Sequence, residues 1–256
     1  MNSDHSLLGY DVRYVAFLDI LGFSNIVAAS ACSVHEADRL ISVLRRISSF
    51  QEDFSDAEYE PVDFQVQSFS DCIVMSEAGT PDGLVHLINC VVSAILDLLT
   101  FGFFVRGAVA KGPLHHVGSV ILGPALIKAY KMEASVARYP RVLVDEETYA
   151  DFRSPKIKDA RKRKFEHVVR SDDDGPPILD YLHPIRFIEA QYPEQAPDAE
   201  CMRTEIERAL HRSIYDPSHY EKMRWLSVQW NNVALHRSAK LIRFPNQELQ
   251  SEADKT

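Results

Sequence analysis

Tyr14-Val-Ala-Phe-Leu-Asp-Ile-Leu-Gly-Phe23 and Phe69-Ser-Asp-Cys-Ile-Val-Met75 decide how this chain is read. Each is a short apolar run of strand type with one aspartate inside it, Asp19 in the first and Asp71 in the second. A carboxylate in a buried strand is costly unless it is paired or binds a metal. For either residue alone, a turn cap or a hairpin position is explanation enough. The order of the surrounding elements changes that.

Residues 13–21 read as a buried strand. Ser33-Val-His-Glu36 is a capping box, and Ala37, Leu40, Ile41, Leu44 and Ile47 then share one helical face to about residue 50. Residues 64–69 and 72–76 are two strands separated by Ser70-Asp71, which is hairpin spacing, although Ser-Asp is not a favoured turn pair. Thr80 and Pro81 open a second helix, with apolar residues from Leu84 to Leu98 and a stop at Gly102. Residues 103–110 form a further strand. The order is β-α-β-β-α-β, the ferredoxin-like split βαβ arrangement of an α+β fold. In that topology the first and third strands are antiparallel neighbours. The end of the first then lies beside the start of the third, so Asp19 and Asp71, 52 residues apart in sequence, meet at one sheet edge.

Two carboxylates at one edge suit Mg²⁺ or Mn²⁺, hard cations that take oxygen ligands and substrate phosphates. A pair of such ions can activate an attacking oxygen and steady a leaving one. Gly22 permits close backbone approach, and the amides around Gly22 and Phe23 offer donors for phosphate oxygens. Arg106 interrupts an apolar strand and needs a partner, whether a phosphate, a base edge or a structural carboxylate. His115 and His116 are adjacent and diverge in an extended segment, so they read as surface histidines. Trp225 and Trp230 read as packing residues.

Beyond residue 112 the pattern gives a hairpin-like piece over 111–118, Val120-Ile-Leu, a helix from about Gly123 to Val136 and the strand Arg141–Val144. Residues 153–178 read as irregular, with the basic run 161–164 and Ser171–Pro177 as solvated loops. Asp198 and Asp216 cap two helices near 199–214 and 217–235. The expected division is a core over residues 1–150 and a loop and helical C-terminal extension, residues 151–256, packing on it.

Bulk properties narrow the function. The chain has 256 residues, 46% hydrophobic and 25% charged, with formal net charge −9. That charge excludes nucleic-acid binding through a broad basic face, though not binding of one nucleotide. Cys32, Cys72, Cys90 and Cys201 form no C-x-x-C pair. No G-x-x-x-x-G-K-[ST] occurs. Leu87–Val105 is broken by polar residues and reads as a core helix and strand, without membrane insertion. With reduced thiols and no signal-peptide pattern, the expected location is cytoplasmic.

Five segments carry a family resemblance. Ala16-Phe-Leu-Asp-Ile-Leu-Gly-Phe-Ser24 resembles the first metal motif of class III nucleotide cyclases, and Phe69-Ser-Asp-Cys72 resembles the second. Val105-Arg-Gly-Ala-Val-Ala-Lys-Gly112 and Leu122–Glu133 with Tyr139–Val142 are similar to the strand, helix and strand that close that catalytic domain. The resemblance covers about residues 12–150. It departs where purine cyclases read their base, since Gln67 and Val120 stand in place of a lysine and an aspartate. Ile127 and Lys131 replace the asparagine and arginine that steady the transition state.

The combination with Gly-Pro-Ala-x-x-x-Ala-Tyr-x-x-Glu resembles the pyrimidine cyclases of the bacterial Pycsar anti-phage system. That resemblance implies UTP, or alternatively CTP, as substrate and cyclic UMP or cyclic CMP as product. It also implies Mn²⁺ (or Mg²⁺), two ions per site, a homodimer with active sites at the interface, and a downstream effector sensing the cyclic nucleotide. Asp19, Asp71 and the Ile20 carbonyl then hold the metals. Arg106 and Lys131 are catalytic candidates, and Ile20, Gly22, Phe23, Tyr59, Gln67 and Arg106 are nucleotide contacts. A non-catalytic nucleotide-sensing domain is the alternative that the departures favour.

Overall fold

The computed structural model describes residues 9–55, 63–154, 157, 168–172, 175–182, 199–235 and 240–245. Tyr59, the basic run 161–164 and Asp198 lie outside the described residues. The chain divides into two compact units, Met1–Ile95 with Phe104–Asp180, and Leu96–Phe103 with Tyr181–Thr256.

The first unit holds a mixed sheet in the order β2-β3-β1-β4-β6-β8-β7, with β5 paired to β4. Its strands are β1 (Asp11–Ile20), β2 (Gln65–Phe69), β3 (Cys72–Ala78), β4 (Val105–Val117), β5 (Val120–Leu122), β6 (Val142–Val144), β7 (Val169–Asp172) and β8 (Gly175–Leu179). The helices are α1 (Phe23–Ser30), α2 (Val34–Ser55), α3 (Pro81–Thr100), α4 (Pro124–Val136) and α5 (Glu146–Arg153). The last turn of α3 belongs to the second unit. The β-α-β-β-α-β core is present as expected, and the fold class is α+β.

Local signals account for most boundaries. The Ser33 hydroxyl accepts the Glu36 amide at 3.4 Å and starts α2. Thr80 Oγ1 accepts from the Gly83 amide at 3.0 Å and starts α3. α3 stops at Gly102, whose φ of 72° lets the Phe103 amide turn back to the Leu98 carbonyl at 2.9 Å. By length and composition, α3 alone among the described helices reaches a membrane-spanning apolar pattern, and 78% of that window is buried inside the protein.

β1 is buried from Arg13 to Leu18 without alternation, because both faces of the sheet are covered. On one face α4 lays Ala125 and Ala129 against Val15, Phe17, Ala108 and Ala110. Alanines at the four-residue step keep the helix close to the sheet. On the other face His86 of α3 meets Glu77 at 2.9 Å, and the Tyr14 hydroxyl donates to Asp151 of α5 at 2.8 Å.

Several elements differ from the sequence reading. α1 was not anticipated, since its eight residues bury none of their side chains and carry no side-chain cap. α5 was also missed, although Asp145 caps it by accepting the Thr148 amide at 2.9 Å. β4 continues to Val117 rather than ending at 110, because Lys111–Leu114 extend the pairing with β1. Residues 169–179, expected to be irregular, supply β7 and β8, which pair with each other and attach to β6. The two prolines in β8 hide its strand character, yet they precede its pairing with β6 at Ile178 and Leu179 and lie where the β7 register is irregular, so no ladder bond is lost there. His116 is buried, not at the surface.

The second unit contains α6 (Ala199–Arg212) and α7 (Pro217–Leu235). α6 buries Met202, Ile206 and Leu210, while α7 buries Met223, Leu226 and Trp230. Trp230 is thus a packing residue. Asp216 Oδ1 accepts the His219 amide at 3.1 Å and caps α7.

Candidate metal and nucleotide site

The antiparallel register pairs Asp19 with Cys72 on one side and with Arg106 on the other. Paired residues point to the same face, so Asp19, Cys72 and Arg106 all lie on the α4 face of the sheet. The Ile20 amide donates to the Asp71 carbonyl at 2.9 Å, which fixes the β2–β3 turn against the end of β1. Ser70 makes that turn with φ of 56°, the strained conformation that a Ser-Asp pair requires in a two-residue loop. Ligand atoms of Asp19, Asp71 and Cys72 all lie within 4.8 Å of one another, and each residue is partly exposed. The topology expected from sequence therefore does bring Asp19 and Asp71 together.

Arg106 crosses from β4 into this group. Its Nε donates to Asp19 Oδ2 at 3.1 Å and sits 2.6 Å from Glu133 Oε1. Nε carries a single hydrogen, which is directed at Asp19; Glu133 is held by charge. Nη1 reaches the Ala137 carbonyl at 3.5 Å. The neighbouring Gly107 lets β4 lie close against β1, because a Cβ there would stand 2.3 Å from the Phe17 carbonyl oxygen. Of the partners open to Arg106, carboxylates are those seen.

Glu133 was not among the sequence candidates. It extends the Ala125, Ala129 row of α4 by four residues and is buried against the sheet. Burial pushes its carboxyl above the usual carboxylate range, Arg106 opposes this, and Asp19 and Asp71 add to it. The available signal was a charged residue continuing an alanine stripe at the four-residue step. Asp19 and Glu133 thus share one arginine, with Asp71 beside Asp19. Cys72 Sγ lies 3.8 Å from Asp71 Oδ1, and burial with the charges of Asp71 and Asp19 pushes its thiol up to about 12. At neutral pH it is a protonated thiol.

Below the carboxylates, Gly22 (φ 71°) turns the chain directly into α1. The first backbone bonds back to Gly22 come from Asn25 and Ile26, which leaves the amides of Phe23 and Ser24 at the helix start without such a bond. A helix N-terminus next to two carboxylates is suited to a metal-bound phosphate.

The remaining candidates are more distant. Gln67 pairs with Val74 on β2, on the same face as Asp19, with its Nε2 donating to the Ser68 carbonyl at 3.2 Å. Lys131 is exposed on α4, two residues from Glu133 and so about 200° around the helix from it. Lys128 is ion-paired with buried Asp145, the α5 cap.

The donor set fits a divalent cation. Its oxygens are hard ligands, they converge, and their surplus negative charge is only partly offset by Arg106. Asp19 and Asp71 would hold such an ion, which would supply charge neutralisation and an acidified hydroxyl.

No family model matches the chain, and no curated protein matches it. Among solved structures it is similar to the catalytic core of a rhodopsin-guanylyl cyclase with converted specificity, in complex with ATPαS. That similarity is 16% identity over 57% of this chain and 82% of that one, with a TM-score of 0.42. It is also similar to a bacterial light-regulated adenylyl cyclase, at 17% identity over 56% of this chain and 45% of that one, TM-score 0.39. A third is a class III adenylyl cyclase-like ATP-binding protein from Pseudomonas aeruginosa, at 14% identity over 56% of this chain and 35% of that one, TM-score 0.38.

Proposed function

We propose that the protein is a pyrimidine nucleotide cyclase that converts UTP to cyclic UMP and pyrophosphate, with CTP the alternative substrate. The observation that carries the reading is the convergence of Asp19 and Asp71 at the β1–β3 edge, beside the open start of α1 and the guanidinium of Arg106. Two Mn²⁺ or Mg²⁺ ions held there would acidify the ribose 3′-hydroxyl and neutralise the triphosphate. The 3′-oxygen forms a bond to the α-phosphorus as the bond to the bridging oxygen breaks, and pyrophosphate leaves.

Each residue then has a task. Asp19 and Asp71, with the Ile20 carbonyl, hold the cations. The amides at Gly22 and Phe23 receive phosphate oxygens. Arg106, kept in place by Glu133, offers positive charge to the phosphates as charge develops on them. Gln67 donates and accepts, which suits a pyrimidine edge. Tyr59 is the candidate for stacking on the base.

Lys131 faces away from its own Asp19, so it serves a site only from a second copy. That favours a homodimer with active sites at the interface. Phe69 beside the Asp71 turn is 80% exposed, and Ile127 and Tyr130 of α4 are each 54% exposed, apolar surface that a second copy would cover. Residues 1–150 carry the catalysis, and residues 151–256 are a C-terminal extension. The biological role that follows is cytoplasmic second-messenger synthesis in anti-phage defence, read by an effector that binds the product.

The test is to incubate the protein with each of the four nucleoside triphosphates and Mn²⁺ and to identify products by mass. Cyclic UMP is expected. Cyclic AMP as the sole product would sink the base assignment and leave the metal assignment standing. No cyclic mononucleotide from any triphosphate, with folded dimer present, would sink both.

A further inference from the structure

A cavity of about 830 Å³ lies wholly within the second unit, between α6, α7 and the segment 240–244. That volume falls within the range of small-molecule sites, about 300–1,000 Å³. Its wall is built from side chains that pin a backbone. Asn231 of α7 both donates to the Ile242 carbonyl at 3.0 Å and accepts the Ile242 amide at 2.8 Å. Glu207 accepts the Arg243 amide at 3.0 Å, and His211 Nε2 donates to the Arg243 carbonyl at 3.2 Å. Trp230 holds the Lys240 carbonyl at 3.3 Å. The segment is therefore fixed at Lys240, Ile242 and Arg243, and its side chains project from a held backbone.

Those side chains are cationic. Lys240 and Arg243 line the cavity together with Arg203 and Arg208 of α6, and among the described residues Glu207 is the one carboxylate in the lining. Glu200 and Glu205 stand just outside: Glu200 is paired with Arg203 and Lys240, and Glu205 with Arg208. Four permanent cations face three carboxylates, and no ion pair engages the Arg243 guanidinium among the described residues. A chain of net charge −9 thus sets four of its 28 Lys and Arg residues around one concave place. Phe244 and Leu241 add an apolar side to the same wall. Guanidinium groups in a fixed frame select planar or tetrahedral oxyanions through paired hydrogen bonds.

We propose that this cavity binds a phosphorylated small molecule, its phosphates on Arg208, Arg243 and Lys240 and its organic part against Phe244. The site is separate from the Asp19–Asp71 carboxylates. It does not depend on the cyclase reading.

Inorganic tripolyphosphate is the probe, titrated into the full-length protein by calorimetry without divalent metal and at about 0.15 M salt, where the Debye length is about 8 Å. One anion per chain is expected. Arg208→Gln with Arg243→Gln should weaken binding by at least about tenfold, or about 1.4 kcal/mol. Both side chains are exposed, so the melting temperature without ligand should not change. Should that double variant fail to fold, Lys240→Gln alone, at a side chain 75% exposed, gives the same comparison. Asp19→Ala with Asp71→Ala should retain full binding. The proposal is overturned by no binding at millimolar anion, by undiminished binding in the arginine variant, or by loss of binding in the aspartate variant.

Discussion

β1 carries a charged residue on the α4 face at each end, Arg13 at one and Asp19 at the other, and the two ends are built differently. Arg13 is 3% exposed and fully answered: its Nε donates to Ser76 at 3.1 Å, and its guanidinium is paired with Asp63. Ser76 in turn bonds His116 Nδ1 at 2.8 Å. At the other end Asp19 and buried Glu133 share one arginine, and Asp19 and Asp71 are partly exposed. A satisfied buried charge specifies the sheet; an over-acidic, accessible cluster is poised for a cation. The same strand therefore shows a structural polar network and a site.

The largest effect expected from breaking the contrast is at the acidic end. Asp19→Ala and Asp71→Ala should each lower cyclase turnover by at least about 100-fold, the scale of losing a main electrostatic element. Circular dichroism and melting temperature should stay near wild type, since neither carboxylate supports the core. A stable but fully active Asp71→Ala would remove that residue from the metal site.

The Arg13 end should respond in the opposite sense. Arg13→Met should cost about 2 kcal/mol of stability, the scale of charge-assisted hydrogen bonds lost from a buried place. Urea denaturation measures this, and Mn²⁺ affinity should be unaltered.

Arg106 sharpens the comparison, because it competes with a metal for Asp19. Arg106→Gln should raise Mn²⁺ affinity about tenfold, or about 1.4 kcal/mol, while lowering turnover. Mn²⁺ titration followed by electron paramagnetic resonance reads the first effect. Unchanged affinity would show that Arg106 does not hold the place of a cation.

The last effect is a pH slope. Burial and then the charge of Arg13 hold His116 down at about 4. In the unfolded chain the imidazole titrates near about 6.5. The depressed folded pKa means that the unfolded state takes up the proton first. Stability is thus complete above about 6.5 and declines as pH falls toward about 4. His116→Gln should remove that part of the acid limb, seen as a difference between the two denaturation curves over this window.

Some of the site was legible from residue order alone. The spacing of β1, β2, β3 and the two core helices placed Asp19 beside Asp71, because strand adjacency in a β-α-β-β-α-β unit follows from connectivity. Capping residues Ser33, Thr80 and Asp216 marked three helix starts, since a cap is a local bond within one turn. Glu133 escaped because its role arises from the closeness of α4 to the sheet, and its place in the Ala125, Ala129 row marks burial without naming the arginine it meets. β7 and β8 escaped because their strand character depends on pairing partners distant in sequence.

By itself, the sequence determined the element order, the α+β class and the two aspartates, because periodicity, caps and connectivity are local or topological. Only the tertiary structure decided that Arg106 lies between Asp19 and Glu133 and that His116 is buried beside Arg13. It alone also gathered the cations of α6 and residues 240–243 around one cavity. Those facts depend on side chains meeting across the fold, where distance and burial set the energy.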